Sequence, residues 1–140
     1  MRLDEIRLYT PYYILYAMRN FKDLEVWKSA RTLAKEIYLL TATFPVEEKF
    51  GLTSQIRRCS VSIAANIAEG SAKNSIKDFT RFLEISQGSC FELESHIILA
   101  SDLGFIETSH CELHQKHIIL LQKRLYNFIK HNRSKVNGTA

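Results

Sequence analysis

Residues 52–70, LTSQIRRCSVSIAANIAEG, decide the fold of this chain. At about 100° per residue they form a helix whose apolar residues cover far more than the stripe that a surface helix needs to bury. One part of this apolar surface, around Ile56 and Ile63, suits the core of a helical bundle. The other part predicts a subunit interface and consists of Arg57, Val61, Ala64, Ala65 and Ala68. The sequence therefore predicts a homo-oligomer.

The same helix keeps a narrow polar seam, which consists of Gln55, Arg58, Ser62, Asn66, Glu69 and Lys73. Such a seam is either a binding surface or an interhelix hydrogen-bond network that fixes the register of the helices, and we favour the network. Arg57 falls within the apolar surface, and a buried charge must be paired. We therefore expect Arg57 to meet a carboxylate of the third helix, from the same or a neighbouring subunit. The candidates are Glu84, Glu92 and Glu94.

Three further segments have the alternating four-three spacing of apolar residues that is typical of packed amphipathic helices. We predict helices over about 23–43, 76–103 and 109–131, the first of which ends ahead of Pro45. Their seams are Val26, Ala30, Leu33, Ile37, Leu40 and Phe44; then Phe79, Leu83, Ser86, Cys90, Leu93, Ile97, Ala100 and Gly104; and finally Cys111, His114, Ile118, Leu121, Leu125 and Phe128. Short connections between long helices predict an all-α, up-down-up-down antiparallel four-helix bundle.

Local signals mark several helix ends. They are three pairs of residues: Ser75 with Asp78, Gly104 with Phe105, and Ser109 with Glu112. The first pair predicts an N-cap and the second a glycine C-cap, both on the third helix. The third pair predicts a capping box for the fourth helix. Gly88 stands in the middle of the third helix, and small residues beside it predict a tight helix crossing there.

The bundle is expected over residues 21–132, with an N-terminal extension over 1–20 and a polar tail over 133–140. Residues 1–17 are either an over-long gene start, with Met18 as the natural first residue, or a segment that lies against the bundle. No apolar run approaches the ~18 residues that cross a membrane, and the N-terminus lacks the pattern of a secretory signal. We therefore expect a cytoplasmic protein without a membrane partner.

Charge is distributed unevenly, although the net charge is only +4. Residues 75–110 contain two basic and six acidic residues, whereas residues 112–140 contain six basic residues and one acidic residue. Lysines 116, 123 and 130 repeat every seven residues and therefore form a line about 21 Å long on one helix face. Such a row is either solvated surface or a site for salt-sensitive, sequence-independent binding of RNA or DNA. The predicted nucleic-acid contacts are Lys116, Lys123, Arg124, Lys130, Arg58 and Lys73.

The signatures of common enzyme classes are absent from the sequence. It has no GxSxG turn, no glycine-rich phosphate loop and no pair of Glu-x-x-His motifs for a di-iron site. His110, His114 and His117 share one helical face, but no second helix supplies a matching ligand, so we predict no metal site. Three cysteines occupy apolar positions and are expected in the core: Cys59, Cys90 and Cys111. We expect a non-enzymatic protein without catalytic residues or a cofactor.

Three blocks of the sequence resemble a known bacterial family. They are FKDLEVWKSA (21–30), FPVEEKFGLTSQIRRCSVSIAANIAEGS (44–71) and FTRFLEISQGSCFELE (79–94). Their order and spacing are similar to those of the four-helix-bundle proteins encoded in intervening sequences of large-subunit (23S) ribosomal RNA genes, the S23 or intervening-sequence family. The likeness extends from about Phe21 to His131 and supports Met18 as the natural start.

The resemblance implies a homopentamer, a ring of five bundles. It also implies kinship with the accessory variability determinant of diversity-generating retroelements, a pentameric barrel with a basic surface that binds nucleic acid and a reverse transcriptase. In this comparison Asn66, Glu69 and Gly70 are expected to be a structural motif that fixes the assembly. The resulting hypothesis is a homo-oligomeric bundle that binds RNA or DNA through a basic face. The alternative is a structural or adaptor protein that assembles around a protein partner, such as a reverse transcriptase, without contacting nucleic acid.

Overall fold

The computed structural model describes residues 19–138, which form four α-helices and two short 3-10 turns. The helices are α1 (Glu25–Thr41), α2 (Leu52–Ser71), α3 (Ile76–Asp102) and α4 (Thr108–Val136). The turns, Phe21–Asp23 and Val46–Glu48, precede α1 and α2. Each helix packs against the next one along the chain, and α4 packs against α1. The predicted all-α four-helix bundle is confirmed. The expectation for residues 1–17 lies outside the described part of the chain.

The core is formed by the predicted seams. Of the α1 seam, five residues are buried and Leu40 is partly buried against them. The seam of α3 is buried from Phe79 to Ala100, and it includes Ser86, whose hydroxyl donates to the backbone oxygen of Ile63 at 2.9 Å. Buried polar groups need such partners. No helix among residues 19–138 is long and apolar enough to cross a membrane.

Both predicted caps of α3 are present. The Ser75 side chain accepts a hydrogen bond from the backbone nitrogen of Asp78 at 3.0 Å. At the other end Gly104 has a φ of +79°, and the backbone nitrogen of Phe105 donates to the oxygen of Ala100 at 2.9 Å. This arrangement is the Schellman motif, in which glycine adopts the left-handed conformation that other residues avoid. The Phe105 ring then packs on Phe44 with the centroids 5.7 Å apart.

The predicted ends of α4 are wrong at both termini. The helix starts at Thr108, with Glu107 as an extended N-cap whose side chain makes no capping bond, so Ser109 and Glu112 form no capping box. The helix also continues to Val136, into the predicted polar tail. The buried side chains of Ile129 and Asn132 pack these last turns against the bundle, and Arg133 forms an exposed ion pair with Glu84 of α3. Long-range packing therefore extends a helix whose local sequence is polar.

Gly70 and Gly88 have opposite environments. A Cβ atom on Gly70 would lie 2.5 Å from the Cβ of Phe82 and 3.0 Å from a ring carbon of Phe79, so α2 and α3 approach closely there. A Cβ atom on Gly88 would have no atom within 4 Å among the described residues. The tight crossing predicted at Gly88 is therefore wrong within one chain, and the close approach occurs at Gly70 instead.

We expect Gly70→Ala to destabilise the fold, whereas Gly88→Ala meets no such obstacle within the chain. The extra methyl group at Gly70 overpacks the α2–α3 contact, which costs about 1–3 kcal/mol and outweighs the better helix propensity of alanine. At Gly88 the propensity gain of up to about 1 kcal/mol is unopposed within the chain. Urea titrations of both variants at one fixed protein concentration measure the two free energies of unfolding. Equal effects of the two substitutions would contradict this account of the α2–α3 contact.

Candidate assembly face and nucleic-acid surface

The polar seam of α2 faces α3 and forms an interhelix network. Arg58 donates from Nη2 to Oε1 of Glu92 and to Oε1 of Gln55, both at 2.8 Å. One turn further on, the hydroxyl of Ser62 donates to the hydroxyl of Ser89 at 2.7 Å. Two helices joined at successive levels by specific polar pairs cannot slide past one another without breaking them. Arg58 therefore belongs to a bridge between α2 and α3 and lies away from α4.

Arg57 does not make the predicted contact with a carboxylate of α3. It is half-buried, its Nε donates to the hydroxyl of Thr41 at 2.8 Å, and its guanidinium lies 4.6 Å from the ring centroid of Tyr38. Both partners belong to the α1 side of the bundle. The reason is geometric, because consecutive residues point about 100° apart on a helix. Arg58 is directed towards α3, so Arg57 is directed towards α1.

The structure leaves an apolar face exposed on α2 and α3, which we call the outer face. On α2, Val61 is 46% exposed, Ala65 is exposed, and Ala64 and Ala68 are half-buried. The contribution of α3 was missed by the sequence reasoning: it comprises Ile85 (47% exposed), Gly88 and Leu99 (46% exposed). No apolar repeat reveals Ile85 and Leu99, because the position halfway between them, seven residues from each, is Glu92.

The predicted motif of Asn66, Glu69 and Gly70 does not act as one unit in the described chain. The Asn66 amide donates to the backbone oxygen of Ser62 at 2.8 Å, which is a bond within α2. Glu69 is exposed, and Gly70 is buried against α3. Within one chain, the packing role falls to Gly70 alone.

The six predicted nucleic-acid contacts do not share one surface. Lys116, Lys123 and Lys130 are exposed on α4, and their side chains form no ion pair within residues 19–138. Arg124 lies on the α1 side of α4, where its Nη1 donates to the hydroxyl of Ser29 at 2.6 Å. Arg58 is held by Glu92, and Lys73 lies over the ring of Phe82, 5.0 Å from its centroid. Of these six, the free cations are therefore Lys116, Lys123 and Lys130.

The three histidines of α4 have separate partners. Nδ1 of His114 lies 2.8 Å from the backbone oxygen of His110, and Nδ1 of His117 lies 2.9 Å from a carboxylate oxygen of Glu36 on α1. Within the described residues, no group of three His, Cys, Asp or Glu side chains is placed to hold a metal ion. The His117–Glu36 contact instead joins α4 to α1.

All three cysteines lie in the core, as predicted. Burial raises the pKa of the Cys59 thiol to about 12, and the nearby negative charge of Glu92 adds to this shift. Burial likewise raises the pKa of the Cys90 thiol to about 12. Because the thiolate is the reactive form, both side chains are inert at neutral pH in the folded chain.

We expect Cys59 and Cys90 to resist thiol reagents in the folded protein. At pH 8 a pKa of about 12 lowers the thiolate fraction by about three orders of magnitude relative to a free cysteine, and burial blocks access as well. Mass spectrometry after iodoacetamide treatment should find both residues unmodified without denaturant and modified in guanidinium. A Ser54→Cys variant, which places a thiol on the exposed start of α2, is the matched control and should react at once. Rapid native-state labelling of Cys59 or Cys90 would contradict the burial described above.

Comparisons with known proteins agree with this architecture. The family model described as 23S rRNA-intervening sequence protein matches residues 22–127. Among solved structures, the chain is similar to a protein of unknown function from the S23 ribosomal protein family of Bacteroides thetaiotaomicron VPI-5482. The two are 26% identical with a TM-score of 0.69, and the match covers 75% of this chain and 95% of the other. No curated protein matches this chain.

Proposed function

The chain belongs to the 23S rRNA-intervening sequence protein family, and we propose that it is a non-enzymatic, homo-oligomeric bundle that binds RNA or DNA through basic surface residues, independently of sequence. The observation that carries this proposal is the set of free lysines on α4. Lys116, Lys123 and Lys130 point into solvent and have no ion-pair partner within residues 19–138. Phosphate neutralisation by such side chains releases counterions and drives sequence-independent binding.

The outer face supports assembly, and its proposed occupant is a second copy of the chain. Val61, Ile85 and Leu99 are each nearly half exposed, and the small residues Ala65 and Gly88 on the same two helices are exposed as well. Small residues let another helix approach closely, as Gly70 does within the chain. Exposed apolar surface of this kind on adjacent helices is typical of interfaces between subunits. The family resemblance sets the expected number of copies at five.

We expect Val61→Glu to dissociate the assembly, because it places a carboxylate in the centre of the outer face. The matched control is Leu120→Glu, since Leu120 is 48% exposed, close to the 46% of Val61, but lines the groove between α1 and α4 on the opposite side of the bundle. Light scattering of the wild type should give about 81 kDa, five times the 16.2 kDa of one chain. The control should keep this mass, whereas the mass of Val61→Glu should approach that of one chain. A monomeric wild type would overturn the proposed assembly.

Nucleic-acid binding is expected to fall steeply with salt. For a single strand the slope of log K against log salt is about −0.7 for each phosphate contact, so several contacts reduce affinity severalfold to a hundredfold between ~50 and 200 mM salt. Fluorescence anisotropy with a generic single-stranded RNA and a duplex DNA measures this slope. Similar affinity for unrelated sequences is expected. Absence of binding at ~50 mM salt would overturn the proposed nucleic-acid function.

The alternative function, an adaptor for a protein partner such as a reverse transcriptase, is supported by a different surface. At the end of the bundle that carries the α1–α2 and α3–α4 connections, five large apolar residues are exposed: Leu39 (66%), Val46 (84%), Phe50 (90%), Leu103 (53%) and Leu113 (49%). Leu39 and Leu113 line one groove, and exposed apolar surface suits a protein contact better than a phosphate backbone. An assembled protein that binds no nucleic acid at low salt, yet loses a co-purifying protein on Phe50→Ser, would favour this second function.

A further inference from the structure

The antiparallel connectivity places most of the basic residues at one end of the bundle and most of the acidic residues at the other. We divide each helix at its middle residue; the end at which α3 begins and α4 finishes then comprises 19–33, 62–89 and 122–138. This end, which we call the basic end, has twelve basic and five acidic residues, a net charge of +7. The opposite end, 34–61 and 90–121, has five basic and eight acidic residues, a net charge of −3. The chain is therefore electrically polarised along its length.

Contacts within the chain bring these distant segments together at the basic end. Nη1 of Arg19, just ahead of α1, donates to the backbone oxygen of Lys73, just after α2, at 2.6 Å. The rings of Phe79 on α3 and Phe128 on α4 pack edge to face with their centroids 5.5 Å apart. All four helices thus contribute residues to the basic end.

Five of the twelve basic residues at this end are available to a ligand. Arg133 forms an ion pair with Glu84, so one of the few carboxylates at this end is already neutralised. The unpaired cations are exposed and make neither an ion pair nor a side-chain hydrogen bond within residues 19–138: Lys77, Arg81, Lys123, Lys130 and Lys135. Of the lysine row on α4, Lys116 alone lies in the acidic half.

An open cleft of about 440 Å³ lies within the basic end, between the start of α3 and the finish of α4. Three cations line it, namely Lys77, Arg81 and Arg133, against two carboxylates, of which Glu84 is the partner of Arg133. This volume falls within the range of small-ligand pockets and accommodates a phosphate with its sugar. Guanidinium groups bind phosphate oxygens in a bidentate manner, and a lysine adds a compact charge beside them.

We propose that the phosphate backbone of the bound nucleic acid crosses the basic end of the bundle and enters the cleft beside Lys77 and Arg81. This inference rests on the proposed function. It places the phosphate contacts at the basic end of the bundle instead of along the whole lysine row of α4. In a five-membered ring of identical chains whose bundles run along the ring axis, cyclic symmetry places every basic end on the same side. Such a ring presents five clefts on one positively charged side and an acidic opposite side.

Two double variants with equal changes in charge test the proposal. Lys77→Gln/Arg81→Gln removes two cations from the cleft, and the control, Lys35→Gln/Lys49→Gln, removes two exposed cations from the acidic half. Anisotropy with a single-stranded RNA of about 20 nucleotides is measured between ~50 and 200 mM salt. Loss of two phosphate contacts weakens binding about 25-fold at ~0.1 M salt and reduces the magnitude of the salt slope by about 1.4. The control should bind as the wild type does, within about threefold.

The outcomes separate this inference from the proposed function. If the wild type binds RNA and both double variants lose the same affinity, net charge alone governs binding and the basic end is not the site. An unchanged salt slope in Lys77→Gln/Arg81→Gln overturns the proposal in the same way. If the wild type binds no RNA at ~50 mM salt, the proposed function fails and this inference fails with it. Urea titration of the variants, whose substituted side chains are all exposed, verifies that each remains folded.

Discussion

The close approach of α2 to α3 is the constraint on which the rest of this structure depends. It is possible because Gly70 leaves no side chain between α2 and the rings of Phe79 and Phe82. The polar pairs Ser62–Ser89 and Arg58–Glu92 then fix the register along the two helices. Because the partly buried hydroxyls of Ser62 and Ser89 lose each other when the helices slide, this register is more specific than apolar packing alone would make it.

Two surfaces follow from this pairing. Arg58 and Ser62 of the polar seam pair with α3, and the outer face consists of apolar and small residues that α2 and α3 leave exposed. The antiparallel order also places the starts of α1 and α3 beside the ends of α2 and α4, which gathers lysines and arginines at one end of the bundle. Assembly through the first surface would multiply the second, since identical chains in a ring present identical ends. Oligomerisation and nucleic-acid binding would then be consequences of one packing arrangement.

Features with a local cause could be predicted from the sequence, and features with a distant cause could not. The buried seams and the caps at Ser75 and Gly104 depend on residues within one or two helical turns, and they are present as expected. The final turns of α4 depend on contacts made with α3, such as that of Arg133 with Glu84, which no local pattern reveals. The direction of Arg57 likewise depends on which helix lies on each side of α2. The separation of charge between the ends required the order of all four helices.

The central claim, that one assembled bundle both buries the outer face and binds nucleic acid, is tested most directly by native mass spectrometry of the full chain with and without a short single-stranded RNA. The account predicts one assembly near 81 kDa, five times the 16.2 kDa chain mass, which takes up RNA without losing subunits. A 16.2 kDa monomer as the sole species, or RNA bound to the monomer and not to the assembly, would contradict it.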